Sequence, residues 1–153
     1  MGPVVGLTNR KLIGRPGTYS PYDTESDKWR ERVQELIGKA AAIVVVVSRS
    51  EGLAWEIRRL CESEVLFRTV FVLPPLWTDE LKERITWLIS ELGMQVDVKA
   101  ERVLVSGHGS KQLLAIRTNG RRLTTYWAPP QKGGYMLVVK RTLRDIGHDG
   151  LPQ

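Results

Sequence analysis

The sequence predicts a three-layer α/β domain with a mostly parallel central sheet and antiparallel strands at one edge. Apolar runs of strand length alternate with amphipathic segments of helix length over residues 3–92. One run, residues 43–47, is continuous and β-branched, which is typical of a strand buried on both faces. Two short strands after residue 110 are joined by Thr118-Asn119-Gly120, which favours a hairpin. Together these patterns indicate parallel strands followed by an antiparallel edge.

Each predicted element has its own pattern. The β-branched and apolar runs predict strands at residues 3–7, 43–47, 69–73, 102–106, 112–117 and 121–127. Apolar residues at helical spacing predict helices over residues 29–40, 53–61, 81–92 and 136–146. The second helix is expected to begin at Leu53. The last helix is expected to bury Met136, Val139, Leu143 and Ile146.

Length and composition indicate a single globular domain spanning residues 1–153. The 42% apolar and 26% charged fractions are ordinary for such a domain. No apolar run approaches the roughly 20 residues that span a bilayer, and the N-terminus does not have the pattern of a signal peptide. The single cysteine, Cys61, excludes an internal disulfide and a cysteine-based zinc site. We therefore expect a cytoplasmic protein.

The net charge of +6 lies entirely in the last third of the chain. Residues 1–100 hold 14 Lys/Arg and 14 Asp/Glu, whereas residues 101–153 hold 9 and 3. A basic segment of this kind can approach nucleic acid or an anionic membrane face, or can be a solvated surface. No nucleic-acid motif is present, so we expect no specific nucleic-acid partner. A homo-oligomer or a membrane-anchored partner stays open.

The candidate site lies in the strand–loop–helix unit over residues 40–60. Its loop, residues 48–52, is polar, and Glu56 is expected in the first turn of the following helix, at the flank of the apolar stripe. Ligands bind beyond the carboxyl ends of parallel strands in open α/β sheets. A carboxylate there could handle a ribose hydroxyl or an oxocarbenium-like centre. An acid that complements the helix dipole explains the same position.

The segment SRSEGLAWE, Ser48 to Glu56, resembles the TIR family and the related nucleoside deoxyribosyltransferases. In both families a hydrophobic strand is followed by a helix that carries the catalytic glutamate. Arg15-Pro16-Gly17 is similar to a proline-glycine loop of TIR domains. Soluble regions of uncharacterised bacterial, particularly actinobacterial, membrane-associated proteins have a similar spacing of residues. The residues concerned are Trp29, Ala40, Ser48, Gly52, Trp55, Glu56, Pro74 and Pro75. The resemblance covers roughly residues 3–76.

This resemblance implies a TIR-like or flavodoxin-like core. It implies an enzyme that cleaves an N-glycosidic bond of NAD or a nucleotide through Glu56, with no further cofactor. The ligand-binding residues would be Arg15, Ser48, Ser50, Gly52 and Trp55. The alternative is a non-catalytic signalling or protein-interaction module, the soluble part of a membrane-associated system. Its location would then be the cytoplasm, at the inner face of the membrane.

Several of these residues have simpler structural explanations. Ser48 and Ser50 could offer hydroxyl groups to a phosphate or a ribose, but capping of the second helix explains them as well. For Trp55, packing is favoured over stacking on a ligand. The segment GHGSK, residues 107–111, has the glycines of a phosphate loop without its GKS/T ending, so we predict a turn. His108 and His148 have no paired acids, and no metal site is predicted.

The predicted site has a definite geometry. The strand ends at Ser48 and Pro74, the loop at Arg15 and the start of the Leu53 helix should meet at one rim of the sheet. Glu56 should be at least partly accessible in a concavity there, with a perturbed pKa.

Overall fold

The computed structural model describes residues 4–7, 23–95, 102–104, 106–107, 109–119 and 121–149, with side chains from residue 27 onward. Arg15 lies outside these residues. The elements are β1 (Val4–Leu7), α1 (Asp23–Lys39), β2 (Ala42–Val46), α2 (Glu51–Glu62), β3 (Thr69–Val72), α3 (Thr78–Glu91), β4 (Gln112–Thr118), β5 (Leu123–Ala128) and α4 (Lys132–Asp149). A short 3₁₀ turn, Leu66–Arg68, leads into β3.

The protein is an α/β structure built on one open, mixed sheet with the strand order β1-β2-β3-β4-β5. In the parallel part, Val44 of β2 pairs with Gly6 of β1 and with Val70 of β3. The prediction that β2 lies between these two strands is confirmed. β3 and β4 are antiparallel, as are β4 and β5. The sheet is therefore mixed rather than mostly parallel, with the antiparallel strands at one edge as predicted.

The first core cluster joins α1, α2 and α3 to the sheet. Its strand residues include Ile43, Val45 and Phe71, all fully buried. Their helical partners come at the spacing expected of amphipathic helices, which is why α1 to α3 pack here. These partners are Val33 and Ile37 of α1, Leu53, Ile57 and Leu60 of α2, and Leu81, Ile85, Leu88 and Ile89 of α3. The apolar stripes predicted for these helices are confirmed at these positions.

The second core cluster contains residues of α4 and those strand residues that alternate along β2 and β3 with the residues of the first cluster. It contains Val70, Leu114 and Tyr126 of the sheet and Val138 of α4, with Val44 of β2 only half-buried beside it. A β-bulge between Leu113 and Ala115 shifts the register of β4 against β5. In consequence Leu113 belongs to the first cluster and Leu114 and Ala115 both belong to the second.

Two sequence-based expectations are wrong in the last third of the chain. Residues 102–104 are helical, not the start of a strand. The buried positions of α4 are Gly134, Val138, Thr142 and Ile146, spaced four residues apart. Met136 was expected in the core but is 51% exposed. The helix therefore rests on the sheet through small residues at several of these positions.

Two arginines, Arg68 (half-buried) and Arg117 (buried), connect elements that are distant in sequence. Arg68 donates hydrogen bonds to the carbonyl oxygens of Ala40 and Ile37, the latter at 3.1 Å, and so satisfies free carbonyls at the end of α1. Arg117 of β4 donates to the Asp149 carboxylate of α4 at 2.9 Å and to the Phe67 carbonyl at 2.8 Å.

Among the described helices, none has the length and apolar character needed to cross a membrane.

Candidate functional site

The first residue of the loop between β2 and α2, Val47, still forms a backbone hydrogen bond with β3. The Val47 amide donates to the Val72 carbonyl at 2.8 Å, so β2 and β3 end side by side at their carboxyl ends. Ser50 then has extended backbone and its hydroxyl accepts a hydrogen bond from the Leu53 amide at 3.2 Å. This is an N-cap, and it starts α2 at Glu51, two residues earlier than expected. Glu56 consequently lies in the second turn of α2, not in the first.

Glu56 faces the core. It is only 2% exposed and is buried together with Leu53, Ile57 and Leu60 of the same helix. The expectation of a partly accessible carboxyl at the flank of the stripe is therefore wrong. The buried face of α2 therefore includes Glu56 as well as the apolar stripe. The Glu56 carboxyl occupies a buried position that an aliphatic side chain would normally fill.

The Glu56 carboxyl is electrostatically unusual. Within the described ranges its Oε2 atom is buried and has no hydrogen-bond partner. Burial raises its pKa to about 7, because the charged form loses its hydration. Arg59, one helical turn away in the same helix, pairs with Glu62 at 2.9 Å instead. A carboxyl of this kind is able to give or take a proton at neutral pH.

Ser48 has a similar environment. Ser48 is the second residue after β2, and its hydroxyl oxygen is also buried and lacks a hydrogen-bond partner in the described part of the chain. The β2–α2 unit thus holds two buried oxygen atoms with unused hydrogen-bonding capacity, besides the buried Arg59 Nε, which also has no partner. Such atoms are costly without a partner, and a ligand with hydroxyl groups could satisfy both.

The other predicted ligand residues have structural roles in this structure. Ser50 uses its hydroxyl as the cap of α2. Gly52 is exposed, and a Cβ at this position would meet nothing within 4 Å, so no close approach requires a glycine. Trp55 packs on Trp29 of α1 with ring centroids 5.9 Å apart, and the Arg30 guanidinium lies 5.3 Å from its ring centroid. The favoured packing role of Trp55 agrees with this geometry.

The β2–α2 loop is also tied to α3. Arg49 of the loop forms an exposed ion pair with Glu83 of α3 at 2.8 Å. Arg84, next to Glu83, is half-buried, and its pKa is lowered chiefly by burial and then by the nearby Arg49 guanidinium. Two guanidinium groups, of Arg49 and Arg84, and the carboxylates of Glu80 and Glu83 therefore lie close together where α3 meets this loop.

A cavity of about 260 Å³ lies at the same edge of the sheet, beyond the ends of β3 and β5. It is lined by Leu76, Thr78, Leu81, Gly107, Gly109, Ser110, Lys111, Gln112 and Pro130. Gln112 donates to the Leu76 carbonyl at 3.3 Å and holds the loop after β3 against the start of β4. The lining combines apolar walls with a lysine ammonium and hydroxyl groups, a mixture typical of small-ligand sites.

Sequence reasoning did not assign this cavity. The signal for it is the GHGSK segment, residues 107–111, for which the sequence predicts a turn because no phosphate-loop ending follows. Gly109 does adopt the left-handed conformation of a turn, with φ of 63°. Gly107, Gly109, Ser110 and Lys111 nevertheless also line the cavity. No group of three His, Cys, Asp or Glu side chains within the described ranges could hold a metal ion.

Comparisons with protein-family models, with curated proteins and with solved structures gave no match. The resemblance to TIR domains and nucleoside deoxyribosyltransferases therefore stays a prediction that rests on the motifs within residues 3–76.

Proposed function

We propose that this chain is a nucleotide-handling domain that cleaves the N-glycosidic bond of NAD or a related nucleotide, with the Glu56 carboxyl as the reacting group. The same proposal includes a finer fold assignment, in which the domain has a three-layer TIR-like or flavodoxin-like arrangement. Its support is that one core cluster contains residues of α1 to α3 and the other contains Val138 of α4.

The observation that carries the proposal is the Glu56 carboxyl on the core side of α2. A buried carboxyl oxygen without a hydrogen-bond partner, such as Glu56 Oε2, destabilises a fold, so a structural role does not account for it. Carboxyl groups with pKa values shifted by burial are concentrated at functional sites. This one follows the carboxyl end of a parallel strand, where ligands of α/β sheets bind.

The chemistry requires a carboxylate. In hydrolysis of NAD, the bond between C1′ of the ribose and the nicotinamide nitrogen breaks, and its electron pair passes to the nicotinamide ring. A water oxygen bonds to C1′, and the ionised Glu56 would accept the proton that the water loses. The same negative charge would stabilise the positive charge that develops on the ribose. The Ser48 hydroxyl would bind a ribose hydroxyl, and Lys111, which lines the cavity at the same edge of the sheet, would bind a phosphate.

A non-catalytic sensing or interaction module is the second candidate. The 2% exposure of Glu56 favours it, because a substrate reaches this carboxyl only after the surrounding side chains move. In that case the β2–α2 unit would respond to a ligand or partner without breaking a bond. Such a module would keep nucleotide binding, or the fold alone.

The test is nicotinamide release from NAD, measured by chromatography. Wild type is compared with Glu56→Gln and with Glu51→Gln, which removes an exposed acid from the same helix. We expect Glu56→Gln to lose at least about a hundredfold in rate, the usual contribution of a general acid–base group, and the control to stay active. Equal rates in all three proteins would contradict the role of Glu56. Stabilisation by NAD without turnover would favour the sensing module.

A further inference from the structure

The outer face of α4 is apolar and basic at the same time. We use this name for Met136, Leu137, Lys140, Arg141 and Arg144, all of which are exposed. Leu137 is 62% exposed and Met136 is 51% exposed, next to each other on a helix whose opposite side is buried. At 100° per residue, Leu137 and the three cations lie within about 100° of the helix circumference, and Met136 extends this arc to about 140°. The face is therefore a single surface.

The positive charge of this face is not neutralised by the helix. α4 contains two acids, and both are engaged by the sheet. Asp145 accepts a hydrogen bond from the Tyr126 hydroxyl at 2.8 Å, and Asp149 accepts one from Arg117 at 2.9 Å. No ion pair involves the three cations of the outer face in the described part of the chain. The sequence places the whole excess positive charge in this third of the chain.

We propose that the outer face of α4 docks on an anionic lipid bilayer, with Leu137 and Met136 entering the headgroup–acyl boundary and Lys140, Arg141 and Arg144 contacting lipid phosphates. Lys and Arg side chains near a bilayer surface are attracted to anionic lipids, and exposed aliphatic side chains beside them add apolar area that can be buried at the headgroup boundary. Each Lys or Arg near such a surface strengthens binding roughly fivefold.

Other occupants fit this face less well. A second copy of the chain would bring like charges together, which opposes a symmetric dimer through this face. Nucleic acid that binds by stacking needs aromatic side chains, and the one aromatic residue of α4, Tyr135, donates its hydroxyl proton to the Leu73 carbonyl instead. A protein groove accepts anchors at i, i+3, i+4 and i+7, whereas Met136 and Leu137 are consecutive. A fluid lipid surface imposes no such spacing.

The experiment is co-sedimentation of the whole chain with phosphatidylcholine vesicles, with and without phosphatidylserine. We expect binding only when phosphatidylserine is present, and its loss as salt rises to about 1 M, where the Debye length shrinks to about 3 Å. Replacing Lys140, Arg141 and Arg144 by Gln should weaken binding about a hundredfold. The matched control replaces Lys28, Arg58 and Lys82, three exposed cations on α1, α2 and α3, and should change binding much less.

A second pair of variants tests insertion of the apolar side chains separately from charge. Met136→Ala with Leu137→Ala leaves the net charge unchanged and should weaken vesicle binding about tenfold. Trp77→Ala removes an exposed apolar residue elsewhere, 84% exposed, and should have little effect. All substituted side chains are exposed, and unchanged circular dichroism and melting would show that the fold is kept. The proposal is overturned by absence of binding to the phosphatidylserine vesicles, by equal losses in both triple variants, or by an unaffected double variant. It is equally overturned if the same face retains single-stranded DNA or polyglutamate but not vesicles.

Discussion

Gly134 lies against the carbonyl oxygen of Pro129 so closely that a Cβ at Gly134 would be 2.0 Å from that oxygen. The approach is set by the turn that starts α4, in which the Gln131 amide donates to the Pro129 carbonyl at 2.8 Å and the Tyr135 amide to the Gln131 carbonyl at 3.0 Å. Both obstructing atoms at Pro129 belong to the backbone. The start of α4 therefore depends on the absence of a side chain at Gly134.

Gly134→Ala should destabilise the protein by about 3 kcal/mol or more, because the backbone must move to admit one methyl group. The neighbouring Gly133 is the matched control, since it is exposed and a Cβ there would meet nothing within 4 Å. Gly133→Ala should change stability by less than about 1 kcal/mol, in the stabilising direction. Urea denaturation followed by circular dichroism measures both. Similar unfolding midpoints for the two variants would refute the close contact.

The alternation of strands and helices was predictable as far as β3 because large apolar side chains carry the signal. The β-branched run of β2 and the stripes of α1, α2 and α3 specify what these elements bury. The same reasoning failed for α4, where Gly134 and Thr142 are buried and Met136 is exposed. A hydrophobic pattern gives weight to large residues and none to the small ones that allow a close approach.

The candidate site was predictable only in part for a related reason. The cap by Ser50 follows from residue type and position, and so did the strand–loop–helix unit. The burial of Glu56 did not follow, because the flank of a helix is covered or open according to its neighbours. Trp29 of α1 packs on Trp55, the residue before Glu56, so a residue outside α2 contacts this part of the helix. Such tertiary coverage is not encoded in the spacing of apolar residues along α2.

Among the residues that connect β4 and α4, Arg117 should cause the largest loss of stability when it is substituted. Arg117→Gln removes hydrogen bonds to Asp149 and to the Phe67 carbonyl, and we expect a loss of about 3 kcal/mol. Asp149→Asn should cost less than about 1 kcal/mol, since the Asp149 side chain is largely exposed and water replaces its partner. Urea titration of each variant gives the comparison. Equal losses would mean that the ion pair, rather than the buried guanidinium, stabilises this contact.

The Ser50 cap predicts a graded effect on stability. Ser50→Ala should cost about 1 kcal/mol, because the Leu53 amide loses its acceptor, whereas Ser50→Gly should cost a few tenths of this. Thermal unfolding monitored by circular dichroism separates the two. Unchanged melting in Ser50→Ala would show that the hydroxyl is not needed for α2 and would return it to the set of ligand candidates.

Glu56 predicts the pH dependence of stability. Its pKa is about 7 in the folded protein, against 4.5 for an ordinary glutamate side chain, so between these pH values the folded state binds more protons than the unfolded state. Stability must then fall as pH rises through this window, by about 3 kcal/mol in total, and the penalty is complete above the folded pKa. Other groups contribute their own slopes, so the contribution of Glu56 is the difference between wild type and a variant.

Glu56→Gln replaces the carboxyl by a neutral amide of the same shape that cannot ionise. We expect this variant to be similar to wild type in stability near pH 5, where the wild-type carboxyl is protonated, and more stable than wild type near pH 8.5, where the buried charge is present. Glu51→Gln, with an exposed carboxyl on the same helix, should keep the wild-type pH profile. Urea unfolding of the three proteins at both pH values supplies the measurement. If the stability of Glu56→Gln changed with pH in parallel with that of wild type, the Glu56 carboxyl would have to reach water in the folded protein. The reason is that ionisation of this carboxyl lowers the stability of the fold only if the carboxyl stays buried.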